Sequence, residues 1–214
     1  MCLHPQSTFS CRPARRQPER CPKPRGKGRR LADLIQEYKW EHGDAQRADR
    51  KQYQDFATLA EAIRHATGSV GKVPDHQRRV GRETLRKACS RLLRYESQIE
   101  GCRSFDDLLN VIERHTASIR RFGRLAVYDT ACRIGVYLGL SPTRVYLHAG
   151  TREGARALGL ETSRGSLEMD ELPWPLRLLE PWECEDFLCI YKARLAVVRQ
   201  PVSDPLDASV VQRE

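Results

Sequence analysis

The stretch Ile119–Leu160, IRRFGRLAVYDTACRIGVYLGLSPTRVYLHAGTREGARALGL, decides how this chain is read. Val127, Ala131, Ile134 and Leu138 recur at i, i+4, i+7 and i+11, the buried face of a 3.6-residue period, and predict a helix. Ala126, Ala131 and Gly135 are small enough to let another backbone come close. After a short Ser141-Pro142 turn a second helix is expected, with Thr151 as its N-cap and Gly159 as its left-handed stop. Between the two lies Tyr146-Leu147-His148-Ala149-Gly150, which puts a histidine just ahead of a helix N-terminus.

Working outward towards the N-terminus, Ser104 and Asp107 form a capping-box-like start, and Phe105, Leu108, Leu109 and Ile112 give that helix its core face. From about Asp75 to Glu96 the pattern is a basic helix or a broken pair, with Gly81 as a weak point. Its Arg82, Arg86 and Lys87 fall away from Leu85, Leu92 and Leu93, which suits either a solvated face or phosphate contact. Phe56, Leu59, Ala60 and Ile63 define an earlier helix stopped by Gly68. Leu31, Leu34, Ile35 and Tyr38 define the first one, up to His42, and a polar link from Asp44 to Lys51 separates the two.

Towards the C-terminus, a polar linker from Glu161 to Glu171 and the extended Leu172-Pro173-Trp174-Pro175 lead to a last helix. Pro181 suits its first position, and Glu183, Glu185 and Asp186 suit the positive end of its dipole. Cys184, Phe187, Leu188, Tyr191 and Leu195 make the buried face. No segment alternates with period two long enough to claim a strand, so the expected class is all-α: one compact multi-helix domain over 31–200. Residues 201–214 lack a core pattern and should fray.

The 214-residue chain carries a net charge of +9, but nine of its Arg and Lys side chains and a single acid fall within residues 1–30. That segment has almost nothing to bury and is expected to be a disordered basic tail, either a non-native start or a nucleic-acid-binding arm. The remainder is near neutral yet uneven: Gln77–Arg94 holds seven basic residues against Glu83, whereas Glu161–Asp186 is dominated by acids. A basic face opposite an acidic one is expected, and a basic face is what a phosphate backbone needs. No apolar run has the length of a membrane span and no secretory signal opens the chain, so a cytoplasmic location is expected. The eight cysteines have neither zinc-pair nor iron–sulfur spacing, so no metal and no cofactor is expected. Gly-rich phosphate loops, metalloprotease helices and nucleophile elbows are missing too, which argues against nucleotide hydrolysis and serine hydrolase chemistry.

Residues 119–160 resemble the helix-hairpin-helix base-excision DNA glycosylases. In that family a hairpin ends in Thr-Ala, a helix follows, and a V-D-x-H segment precedes a helix ending R-L-G-L. Thr130-Ala131 matches the first signal and Ala155-Arg156-Ala157-Leu158-Gly159-Leu160 the last. Counting back from Leu160 puts His148 where the family keeps its catalytic Asp. Counting back from Thr130 puts Asp129 where bifunctional members keep a Schiff-base Lys. The hairpin retains Gly123 but has Leu125 and Val127 in place of the family's two glycines. The resemblance implies an all-α fold, double-stranded DNA as partner, and hydrolysis of an N-glycosidic bond that leaves an abasic site.

Breaking that bond needs negative charge beside an oxocarbenium-like sugar and an oriented water, work for a carboxylate alone or a carboxylate beside a base. Asp129 and His148 are the candidate pair. Their plainer roles are a solvated helix start and a core histidine. An ionised Asp129 would favour the charged imidazole and burial would oppose it, so the sequence leaves the sign open. Tyr128 and Tyr146 flank the pair and could stack on an extruded base, although aromatics at such spacing are more often core. Lys192 and Glu185, two turns apart on the last helix, are secondary candidates, and a surface ion-pair face is the reading preferred for them and Asp186. Arg120, Arg121, Gly123 and Arg124 around the hairpin, with Arg82 and Arg86, are the expected DNA-backbone contacts. A non-catalytic hairpin DNA-binding module and a helical protein-interaction domain are the alternatives.

Overall fold

The computed structural model describes residues 30–71, 73 and 77–198. The segments 1–29 and 199–214, and with them most of the expected basic tail, the expected C-terminal fray, Cys2, Cys11 and Cys21, lie outside the described residues.

Helix α1 (Leu31–Tyr38) buries Leu31, Leu34, Ile35 and Tyr38, as its period requires. It runs through a π-helical turn (Lys39–Gly43) into α2 (Asp44–Lys51). The polar link expected here is therefore a helix. None of its residues is buried; what holds it is remote, with Arg47 donating to Glu183 at 2.7 Å and Gln46 donating to Asp186. Helix α3 (Leu59–Ala66) starts on Thr58, whose hydroxyl accepts from the Glu61 amide. Gly81, expected as a weak point inside a helix, is instead the residue that starts α4 (Arg82–Arg94), with a φ of 94° that favours glycine. Short α5 (Glu96–Glu100) is followed by α6 (Phe105–Thr116), capped by the Ser104 hydroxyl as expected.

Helix α7 (Arg124–Leu138) departs from the one-face reading. Ala126 through Cys132 are buried without a break, so the helix is wrapped on all sides. It ends at Gly139 with a left-handed φ of 71°. The turn between α6 and α7 covers 117–123, so Leu125 and Val127, aligned with the family's hairpin glycines, fall inside the helix. The left-handed residue of that turn is Arg121, with φ 72°.

Strand β1 (Val145–Tyr146) pairs antiparallel with β2 (Ser166–Leu167), so the mainly helical chain contains one minimal sheet that its pattern did not announce. Two residues per strand are too few for alternation to register. Helix α8 (Ala149–Ala157) begins one turn earlier than expected: His148 is the N-cap residue, and Thr151 lies inside the helix, fully buried. The linker and the Pro-rich run contain 3-10 turns at Met169–Glu171 and Trp174–Leu178. Helix α9 (Pro181–Leu195) opens with the expected proline and a capping box between Glu180 and Glu183.

Two apolar clusters result. One joins α3 to α7 around Ile63, Leu92, Leu108, Ile112 and Ile134; the other joins α1, β1, α8, β2 and α9 around Leu34, Leu167, Phe187 and Leu188. Helices α8 and α9 touch backbone to backbone: a Cβ added to Gly154 would lie 2.1 Å from the Leu188 carbonyl oxygen. Among the described residues no helix is long and apolar enough to cross a membrane.

Candidate functional site

The site sits on the seam between the two clusters. Tyr128, Asp129 and Cys132 reach it from α7, His148 and Thr151 from the first turn of α8, Glu185 and Asp186 from α9, and Gln46 and Arg50 from α2. Because the 126–132 run of α7 is buried without a break, Asp129 cannot turn to bulk water and is directed into this seam at 8% exposure. The acids of α9 behave likewise: Glu183, Glu185 and Asp186 are exposed by only 2%, 7% and 7%. The surface ion-pair face expected for Glu185 and Asp186 is thus corrected. Buried charge requires partners, and these come from outside α9: Arg47 for Glu183, Gln46 for Asp186, and the buried Thr151 hydroxyl donating to Glu185 Oε1 at 2.6 Å.

Three neighbouring spaces share lining residues here. A small inner cavity of about 120 Å³ is lined by Asp129, Glu185, Asp186, Tyr128, Cys132 and Trp182, with Arg50 stacked over the Trp182 ring at 4.4 Å. A wide cleft of about 860 Å³ shares Glu185 with it and is bordered by Leu125, His148, Gly150 and four guanidiniums, Arg79, Arg124, Arg152 and Arg156. A side cavity of about 460 Å³ shares Arg124, Leu147 and His148 with that cleft and extends to Asp106, Asn110, Arg144 and Tyr146. A separate groove of about 950 Å³ between α4 and the α6–α7 turn is lined by Arg86, Arg91, Arg94, Arg120 and Arg121.

The electrostatic question left open by the sequence has an answer. Burial holds the His148 imidazole well below its ordinary range, at about 4; Asp129 opposes this, while Arg124 and Arg152 reinforce it. The imidazole is therefore uncharged at neutral pH and able to accept a hydrogen bond. Burial likewise pushes the Cys132 thiol up to about 12, with Asp129 and Glu185 adding to the shift and Arg50 opposing it. Cys132 is thus a buried free thiol between the two acids, unsuited to nucleophilic work at neutral pH. The Tyr146 hydroxyl, donating to Asp106, is raised to about 12, mainly by burial.

The expected residues divide clearly. Asp129 and His148 come close enough to interact, although they lie on separate helices. Tyr128 is 3% exposed, its ring covered by Phe105 at 5.9 Å, Tyr146 at 5.4 Å and His148 at 4.7 Å between centroids. It forms a wall and has no free face for stacking, whereas Tyr146 is half-buried and borders the side cavity. Lys192 and Glu185 do not converge: Glu185 turns inward to Thr151, and Lys192 pairs with Glu153 at 2.6 Å at the surface. Arg120, Arg121 and Arg86 share the groove, Arg124 borders the cleft, Gly123 is the exposed N-cap residue of α7, and Arg82 is exposed at the start of α4.

Sequence reasoning missed Thr151, Arg50, Arg144 and Arg152 as members of the site. Arg152 shows why: its guanidinium donates to the Leu147 and Thr162 carbonyls, contacts made across a loop with no local pattern. Among the described residues no three His, Cys, Asp or Glu side chains are grouped to hold a metal ion. No family model matches the chain, and no curated protein and no solved structure matches it either.

Proposed function

We propose that this protein is a DNA base-excision enzyme that takes an extruded nucleotide of double-stranded DNA into the wide cleft and hydrolyses its N-glycosidic bond. The observation that carries this reading is the meeting of two buried carboxylates from different helices, Asp129 and Glu185, at the small inner cavity, with Glu185 also lining the wide cleft that guanidiniums rim and an uncharged imidazole borders. Carboxylates stabilise positive charge on a sugar, and guanidiniums on the rim match the phosphates on either side of it. The resemblance of residues 119–160 to helix-hairpin-helix glycosylases points the same way; α6, the 117–123 turn and α7 would be the hairpin unit.

In this reading the C1′–N bond lengthens as positive charge grows on the sugar, opposed by Asp129 and Glu185. Water then forms the C1′–O bond as the C1′–N bond breaks; one of its protons passes to a carboxylate and from there to the base nitrogen that has taken the bonding pair, so the base leaves neutral and the carboxylate is ionised again. His148 borders the cleft where it can orient that water or the base itself. Neither Asp129 nor His148 offers an amine, so no Schiff base forms there and the product is an intact abasic site.

Incubation of the protein with duplexes carrying damaged, mispaired or modified bases, followed by an abasic-site assay, tests the proposal. Asp129→Asn and Glu185→Gln are expected to lower base release by roughly a thousandfold or more, with duplex affinity unchanged, since their charge acts chiefly in the transition state. Full activity in both variants would remove the carboxylates from the mechanism. No abasic sites from any substrate, with duplex binding intact, would favour a binding module without catalysis.

A further inference from the structure

The side cavity is bordered by Arg144, which the excision reading leaves unused, and by a ring nitrogen of His148 to which that reading gives no partner. Arg144 and His148 both border it, and each has one buried nitrogen without a hydrogen-bond partner among the described residues: Arg144 Nε and His148 Nε2. The rest of the Arg144 guanidinium is occupied, since it donates to Asp106 and lies 3.7 Å from Glu168. Asp106 is also occupied, by Arg144 on one oxygen and by the Tyr146 hydroxyl on the other. This network orients Arg144 and leaves its Nε–H as a fixed donor. A buried donor left unmet costs about 1–3 kcal/mol, so a site that keeps one is arranged for an acceptor arriving from outside.

We propose that the side cavity reads the base, and that it selects a lactam edge, a carbonyl oxygen next to a ring N–H. Arg144 Nε–H donates to the carbonyl oxygen, and His148 Nε2 accepts from the ring N–H. Uracil, thymine, hypoxanthine and guanine present such an edge; cytosine and adenine present an amino group next to an unprotonated ring nitrogen. The uncharged state of His148 supports the acceptor role, because an imidazolium has none. Tyr146, held by Asp106, supplies an aromatic wall, and about 460 Å³ admits a purine or a substituted pyrimidine. The cavity shares Arg124, Leu147 and His148 with the wide cleft. With the base on one side and the sugar beside Glu185 on the other, the glycosidic bond lies beside these shared residues. The assignment rests on the excision reading for its choice of a nucleobase as ligand, but recognition is measurable without catalysis.

The experiment is saturation-transfer NMR on the full chain with uracil, hypoxanthine, cytosine and adenine each methylated at the nitrogen that bears the sugar, since unsubstituted cytosine itself presents an N1–H beside its C2 carbonyl, repeated with Arg144→Lys. Lysine keeps a positive charge opposite Asp106 and lacks the Nε–H. Uracil and hypoxanthine are expected to give saturable signals, and cytosine and adenine none. Arg144→Lys should weaken uracil at least about tenfold, the loss of one charge-assisted hydrogen bond, while its unfolding curve stays that of the wild type. Equal binding of all four bases, or undiminished uracil binding by a folded Arg144→Lys, would overturn the assignment. Lactam-selective binding by a protein that makes no abasic sites leaves this site standing and removes the excision reading. Abasic sites formed at cytosine or adenine as readily as at lactam bases do the reverse.

Discussion

The two apolar clusters differ in the kind of polar group they enclose. The α3–α7 cluster has mostly uncharged buried residues around it, bonded locally or to one neighbour: Thr67 and Thr116 donate to carbonyls one turn back, and the Gln77 amide nitrogen donates to Ala66 and Thr130, its Oε1 having no partner among the described residues. The α1–α8–α9 cluster has carboxylates at its edge, Glu183, Glu185 and Asp186, whose partners lie on α2 and α8. A buried uncharged group costs little once bonded, whereas a buried charge demands a matched partner or a task. The first cluster is therefore scaffold. The seam where its single buried acid, Asp129, faces the acids of the second is the place to look for chemistry.

The contrast breaks most sharply at glycine. Gly154→Ala would drive a methyl to 2.1 Å from the Leu188 carbonyl oxygen, forcing α8 from α9 and withdrawing Thr151 from Glu185. A loss of about 3 kcal/mol or more is expected, the upper range for overpacking against backbone. Gly123→Ala, on the scaffold side, meets nothing within 4 Å at an ordinary φ of −84°. It should change stability by less than about 1 kcal/mol, the chain-entropy gain being offset by alanine's poorer fit at an N-cap position. Urea unfolding of the two variants checks both, and equal losses would erase the distinction between a packed seam and a tolerant turn.

Acid titration sharpens the comparison further. His148 has its pKa lowered from 6.5 to about 4 in the folded chain. On acidification the unfolded state therefore takes up its proton first, and stability present above about pH 6.5 is lost as pH falls towards about 4. The expected loss is at most about 3 kcal/mol. Asp106 and Glu37, whose ionised forms are favoured by Arg144 and Arg194, begin to contribute only near the lower end of that window. Stability curves between pH 7 and 4 should be steeper for the wild type than for His148→Gln; identical slopes would mean that the imidazole is not held uncharged.

The smallest effect is expected at Lys192. Its pair with Glu153 is solvent-exposed, so Lys192→Ala should leave the unfolding midpoint unchanged. Borohydride treatment with duplex DNA should trap no covalent complex in either protein. A trapped adduct that disappears in Lys192→Ala would show a lyase centred on α9 and move the chemistry off the seam.

Much of the helical scaffold was legible from residue order alone. The i, i+3, i+4 apolar spacing of α1, α3, α6 and α9, the Ser104 cap, the Pro181 start and the Gly159 stop depend on interactions within a few residues, which local pattern records. Asp129 and His148 could be named as a pair because the resemblance aligned them. What only tertiary structure decided were features set by residues far apart in the chain. Polar α2 is helical because Arg47 and Gln46 meet α9 some 140 positions later. Glu185 and Asp186 read as a solvated first turn because dipole preference is local, whereas their burial follows from α2 and α8 closing over them. Lys192 and Glu185 share a helix side on paper, yet one turns to Glu153 and the other to Thr151. The charge state of His148 was undecidable from sequence, since burial and Asp129 pull in opposite directions and only packing sets the depth at which burial prevails.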